Sequence, residues 1–422
     1  MNFLIDERDI KLLIKKCNKY RNEPLYRNSL AIMLNSFFSS LFGLLFWIVA
    51  ARNIPPNEIG LATASTSVAL LLISLSKLGL DIGLIRYLPE SSNKNRLYST
   101  VLLVILLLVV TINIIYIAGI GIFSPALELL FEWKFIIAYF VYIISMSIYS
   151  IQNITLIAIR RADLSLIQNL ALGSRVLIIF FIPFLNALGI ISSLGISLVF
   201  AILLGSALLS HCELSFNPKV KISNLKEISR FSFESYIGDI LSMLPATIVP
   251  LLILNTIGSQ SSAHFYIAYS IASLLFMIPH SVSMSLLVEG SHNSPIKENI
   301  IKSVKIIMVF LIPIVMAIFF YGDHALYIFS KEYSEQSFGV LKLLVASSLF
   351  YSIISVYQAI KRIKKEIKII NYINFAISMM IVGFGYIALL KYGIIGIGYA
   401  WLWTNLIICI LILAFGRLTY SE

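Results

Sequence analysis

The chain has 422 residues, 59% of them hydrophobic and 13% charged, and its mean hydropathy is +0.91. Soluble domains carry roughly 25% charged residues, so no soluble fold has interior enough to hide this much apolar surface. A net charge of +11 would suit a nucleic acid only on a folded basic domain, for which the apolar runs leave no room, so topology has to explain the excess.

Residues 1–26 are broken by charges throughout, so no cleavable signal peptide is expected and the first span is expected to act as its own insertion signal. Within this tail, Phe3, Ile10, Leu13 and Cys17 form an apolar stripe beside Lys15, Lys16 and Lys19, the pattern of a helix lying in the membrane interface. Apolar runs long enough to cross a hydrocarbon layer of roughly 30 Å then follow one another. The expected spans are 27–51, 58–80, 97–119, 133–157, 164–185 and 189–209, with edges good to about four residues.

Residues 210–232 form the longest connection. Asn224 and Glu227 have the spacing of a helix cap, and Ile222, Leu225 and Ile228 share one side, so a short amphipathic helix is expected here. Six further spans are expected at 233–256, 262–287, 301–321, 338–360, 366–388 and 394–416. Most of the 32 Lys and Arg fall on one set of connections, including residues 8–27, 219–230 and 361–368. By the positive-inside rule those connections and both termini are cytoplasmic.

The two halves repeat at an offset of about 203 residues: Arg27 matches Arg230, the turn at Ile54 matches that at Ile257, and the Gly189-Ile-Ile run recurs at Gly393. Six spans is an even number, so both halves enter from the same side and the repeat is parallel. The fold class is therefore an all-α integral membrane protein of about twelve helices in two six-helix lobes related by a parallel pseudo-two-fold: N-lobe 27–209, linker 210–232, C-lobe 233–422.

Connections this short leave no room for a soluble active site, so polar groups within the spans are the candidates. In span two, Thr63, Ser67, Ser74, Lys77 and Asp81 fall on one stripe, and in span eight Ser262, Tyr266, Ser270, Ser273 and His280 do likewise. The offset sets His280 opposite Lys77. Hydroxyls of this kind also serve simply to pack helices together, and Lys77 lies close enough to a span end to reach the headgroups. Asn35 and Ser39 are the polar positions of span one.

Arg175 lies near the middle of span five, where a guanidinium costs about 3 kcal/mol unless it meets water or a partner. It is either a ligand for phosphate oxygens, which its fork matches in pairs, or a partner of Asp239 or of backbone carbonyls. Asp239 in span seven either balances a cation or takes part in ion coupling, and Asp81 with Arg86 reads as a gate at the cytoplasmic end or as ordinary capping. Cys17, Cys212 and Cys409 lie far apart without histidines at ligand spacing, so neither a disulfide framework nor a metal or other cofactor is called for.

ARNIPPNEIGLATAS after span one, LGLDIGLIRYLPE at the end of span two, FYIAYSIASLLFMIPHSVSMSLLVEGSH in span eight, IFSKEYSEQSFGVLKLL before span ten and YGIIGIGYAWLW at span twelve resemble the polysaccharide transporter branch of the multidrug/oligosaccharidyl-lipid/polysaccharide exporter superfamily. The resemblance covers nearly the whole chain through loose patterns. It implies two six-helix lobes around an alternating-access cavity, and export of a polyprenyl-diphosphate-linked oligosaccharide across the cytoplasmic membrane, in the company of membrane lipid and the pathway's glycosyltransferases. It also implies cationic residues in the cavity, here Arg175, Lys77 and His280, with Asn35, Ser39, Ser67, Ser74, Tyr266 and Ser270 beside them. The first span lacks the arginines that similar peptidoglycan-precursor flippases carry, which speaks against that substrate. A multidrug or organic-cation antiporter of the same fold would want an acid in span one, and 27–51 has none; a glycan polymerase would want a larger catalytic segment than the chain offers.

Overall fold

The computed structural model describes residues 24–127, 132–217, 225–290 and 296–415; the N-terminal stripe from Phe3 to Lys19 and the Asn224 cap lie outside them. The described residues are nearly all helical, and twelve helices are long and apolar enough to span a bilayer. Spans one to six are Ala31–Asn53, Pro56–Lys77, Lys94–Ala118, Trp133–Ala158, Ala162–Phe181 and Pro183–His211. Spans seven to twelve are Ser232–Ile257, Ser259–Leu287, Glu298–Tyr327, Lys331–Ile363, Ile367–Tyr392 and Ile394–Phe415.

Turns between spans fall on two faces. The first face holds those near residues 54, 182, 258, 329 and 393, and the second those near 78–93, 159–161, 212–217 and 364–366. Within the N-lobe, span four packs on span six and span one on span five; within the C-lobe, span ten packs on spans eight, nine and twelve, and span seven on span eleven. Span two lies between the lobes against spans seven and eight.

Two elements differ from the expectation. The helix of span seven begins at Leu225 and continues without a break to Ile257, so the described part of the linker forms no separate short helix. No Gly or Pro occurs between 225 and 237 to interrupt the hydrogen-bond ladder. Span five is broken: helix Ala162–Leu170, a 3-10 turn Ala171–Gly173, then helix Ser174–Phe181.

A polar lattice fixes that break. Gln168 donates to Gln152 Oε1 (2.9 Å), Gln152 donates to Ser206 Oγ (2.9 Å), and the Tyr149 hydroxyl donates to Asn169 Oδ1 (3.2 Å). Asn169 in turn donates to the Asn35 carbonyl at 2.8 Å, and Asn35 Nδ2 to Ser165 Oγ at 3.3 Å. Gln152, Gln168 and Asn169 are buried, where an unpaired amide would cost about 1–3 kcal/mol, so the lattice holds span five in one register against spans one, four and six.

A comparable ladder ties span eleven to span seven. Asn371 donates to the Glu234 carbonyl (2.9 Å), Asn374 to that of Gly238 (3.0 Å), and the Ser378 hydroxyl to that of Leu241. Pro245 has no N–H to offer Leu241 four residues back, so Ser378 fills the acceptor that the proline leaves free in the helix.

Contacts between the lobes occur on both faces, first on the one at residues 54, 258 and 329. Arg52 Nε donates to the Ile328 carbonyl at 2.7 Å, and Ser124 Oγ to Asn255 Oδ1 at 3.3 Å. A Cβ on Gly60 would fall inside the carbonyl oxygen of Ser259, so span two meets span eight there backbone to backbone. Deeper in, Trp47 packs edge-on against Tyr266 with centroids 4.9 Å apart, and Ser40 Oγ contacts Met277 Sδ at 3.3 Å. Near the second face the Tyr236 hydroxyl donates to the Leu75 carbonyl (2.8 Å). There span two breaks at Leu78 and Gly79, both left-handed at φ 49° and 74°, and the glycine admits the side chains of Ser232 and Tyr236.

Candidate functional site: two cavities beside span eight

The lattice around span five delivers Arg175 to a cavity of about 220 Å³ within the N-lobe, to which the C-lobe contributes Tyr266 of span eight. Phe46, Trp47, Tyr142, Tyr149 and Tyr266 line it, together with Ser39, Thr66 and Ser197. The guanidinium lies over the Phe46 ring, 5.8 Å from its centroid, and Nη2 donates to the Ser39 carbonyl at 3.3 Å. Its Nε is buried with no hydrogen-bond partner. Among the described residues no carboxylate lies within ion-pair distance, and the polar groups in electrostatic reach are the hydroxyls of Tyr142, Tyr266 and Tyr149. A five-donor fork with one protein acceptor has donors free to pair with an anion.

A second cavity, of about 370 Å³, lies on the C-lobe side of span eight. Tyr269, Phe276, Tyr351 and Trp401 give it aromatic walls; Ser242, Ser273, His280 and Asn405 give it polar ones. Toward the second face it narrows to a neck of about 30 Å³, which shares His280 and Tyr351 and adds Ser283, Ser355, Gln358 and Arg362.

The structure therefore brings Arg175, Ser39 and Tyr266 together and sets His280 in the other cavity. Lys77 occupies neither: its Nζ lies 3.3 Å from Asp81 and donates to Ser150 Oγ at 2.8 Å, at the broken end of span two. Asp81 also accepts from the Ile82 amide at 2.9 Å, and Arg86 is exposed, its guanidinium 5.9 Å from the Tyr87 ring centroid. Asp239 is exposed and makes no ion pair with Arg175; the charges in its reach are Arg362, Asp81 and Lys77. Asn35 belongs to the span-five lattice, Ser67 is buried on span two, Ser74 is half-buried beyond it, and Ser270 donates to its own helix at Ile267 (2.7 Å).

Sequence reasoning missed Arg362 and the aromatic walls. Arg362 sits in the basic run 361–368, which reads as a loop signal; Tyr142 and Tyr149, seven residues apart on one helix face, were the available clue to the walls.

Among curated proteins none matches the chain. Solved structures of similar fold include an inward-facing multidrug-resistance MATE family transporter of the MOP superfamily, with TM-score 0.73 and 16% identity over 92% of this chain and 97% of that one. The lipid II flippase MurJ in an inward closed conformation is similar at TM-score 0.73 and 17% identity, over 92% and 88%. An outward-facing MATE transporter gives 0.67 and 16%, over 94% and 96%. These likenesses carry the two-lobed fold of membrane transporters. Residues 25–288 match the family described as polysaccharide biosynthesis protein, and the chain belongs to that family.

Proposed function

We propose that the protein is a flippase that carries a polyprenyl-diphosphate-linked oligosaccharide across the cytoplasmic membrane by alternating access. The observation that carries this reading is Arg175, a cation without a carboxylate partner in an aromatic cavity of the N-lobe that Tyr266 of the C-lobe borders. A guanidinium so placed pairs with phosphate oxygens, while rings and hydroxyls around it suit a sugar and the polyprenyl tail stays in lipid. The basic residues Arg86, Lys94, Arg96, Arg160, Arg161 and the 361–368 run sit on the second face, and by the positive-inside rule they support a cytoplasmic orientation of that face. The lobes of this conformer then meet at the outer face through Gly60 and Ser259 and through Arg52 and Ile328. Rocking of the lobes about span two exchanges that contact for one at the Lys77–Asp81 end, and an anionic headgroup moving outward is favoured by the membrane potential at about 2.3 kcal/mol per charge per 100 mV.

An organic-cation antiporter of the same fold is disfavoured by the same residue, because a cavity whose buried charge is positive repels its cargo. The two readings separate by binding. Purified protein is expected to bind a polyprenyl-diphosphate oligosaccharide at least tenfold more tightly than the phosphate-free polyprenyl glycoside, and to show no saturable binding of quaternary ammonium dyes, by microscale thermophoresis in detergent. Tight dye binding with no preference for the diphosphate would sink the flippase reading.

A further inference from the structure

Arg362 is set apart from the basic run it belongs to. Its neighbour Lys361 is paired with Glu366 at 2.7 Å and lies over the Tyr357 ring, whereas Arg362 turns to the neck of the C-lobe cavity and forms no ion pair among the described residues. Around the neck stand groups that hold phosphate oxygens. His280 lies across from it, in reach of its charge, and the hydroxyls of Ser283 and Ser355 are 3.1 Å apart. Gln358 is fixed by donation to Asn374 Oδ1 (2.8 Å), which is itself anchored to span seven through the Gly238 carbonyl. One carboxylate faces this group: Asp239, in electrostatic reach of Arg362 but outside ion-pair distance.

We infer that Arg362 and His280 form a first diphosphate subsite, at the cytoplasmic end of the C-lobe, distinct from Arg175. There the diphosphate of the lipid-linked sugar is held before the lobes move, with the sugar in the 370 Å³ cavity above it, against Trp401, Tyr269 and Tyr351. The lining of the two spaces supports that assignment: the neck carries Arg362, His280, Gln358 and two serine hydroxyls, while the cavity above has aromatic faces on which a sugar ring can stack. Arg175 then receives the same diphosphate deeper in the membrane, so the path runs from one unpaired guanidinium to the next. Asp239 competes with the diphosphate for Arg362 and keeps the first hold weak enough to release.

The inference rests on the flippase reading, and the test separates the two. Farnesyl diphosphate, a short-chain probe, and inorganic pyrophosphate, the headgroup alone, are titrated calorimetrically into the full-length protein in detergent. Arg362→Gln and His280→Gln are expected to weaken both ligands at least tenfold and by similar factors, because the lost contact is with the headgroup. Arg362→Lys should retain part of the affinity, and Asp239→Asn should tighten binding about threefold, which a merely structural role of Arg362 would not produce. Wild-type affinity in Arg362→Gln, or unchanged affinity in Asp239→Asn, overturns the subsite. If the wild type binds neither probe, the flippase reading itself falls; if Arg175→Gln weakens binding and Arg362→Gln does not, only the first subsite falls. Should Arg362→Gln fail to fold, Arg362→Lys and Asp239→Asn decide.

Discussion

Replacing Arg175 by alanine is expected to lower the initial rate of headgroup transfer in proteoliposomes about a hundredfold while leaving the protein folded. The size follows from the chemistry. Hydrogen bonds to a charged group contribute about 1.5–3 kcal/mol, and a forked guanidinium–phosphate contact sits at the upper end, which at 1.4 kcal/mol per decade is close to two orders of magnitude. The direction of the stability change is opposite to that of the activity change. Arg175 holds one hydrogen bond, to the Ser39 carbonyl, and a ring contact with Phe46, against a cost of about 2.5–3.5 kcal/mol for a guanidinium at mid-membrane. Its removal therefore leaves the thermal midpoint unchanged or raises it. Arg175→Lys, which keeps the charge and loses the fork, should fall between the two. Wild-type transfer by Arg175→Ala would remove the residue from the substrate path.

The second large effect is expected at Gly60. Span two touches span eight there at the Ser259 carbonyl, with no room for a side chain, so Gly60→Val prevents the first face from closing. Overpacking costs typically about 1–3 kcal/mol, and the protein relieves it by separating the lobes at that face rather than by unfolding, because the contact joins two rigid bodies. A shift of about 2 kcal/mol changes the ratio of conformers about thirtyfold. A cysteine at Ser259 should accordingly react with an impermeant maleimide at least tenfold faster in the Gly60→Val background, and transfer should nearly stop because the cycle cannot return to the state in which the lobes meet there. Unchanged labelling would mean that the two helices part elsewhere.

Why some of this was legible in the sequence and some was not has physical reasons. The spans were, because a length of apolar chain matched to the bilayer is dictated by hydration alone. The pairing of Lys77 with Asp81 was not, because the stripe reading ran both along one helix with Lys77 facing the cavity, whereas span two breaks at Leu78 and Gly79 between them and the two meet at 3.3 Å across that break. The break of span five at Ala171–Gly173 was not. It is held by Gln152, Gln168, Asn169 and Asn35, whose convergence from different spans leaves no local pattern. Arg175 stood out by its cost in the membrane; that Asp239 makes no ion pair with it depends on which way two helices turn, which periodicity does not specify. Arg362 was hidden by the basic run around it, and Gly60 by the fact that a contact between lobes marks only one residue of each. Leu78 is a bulky residue in a left-handed conformation, which no propensity would suggest; the packing of Gly79 against Ser232 and Tyr236 accounts for the turn next to it.

The most direct measurement is transfer itself. Purified protein is reconstituted in sealed liposomes with a fluorescently labelled polyprenyl-diphosphate oligosaccharide, and the fraction of headgroup exposed to an external quencher or glycosidase is followed in time. The flippase account predicts protein-dependent movement of the diphosphate-linked sugar that falls about a hundredfold in Arg175→Ala and is absent for the phosphate-free glycoside. No protein-dependent movement, or equal movement of the two lipids, would contradict it.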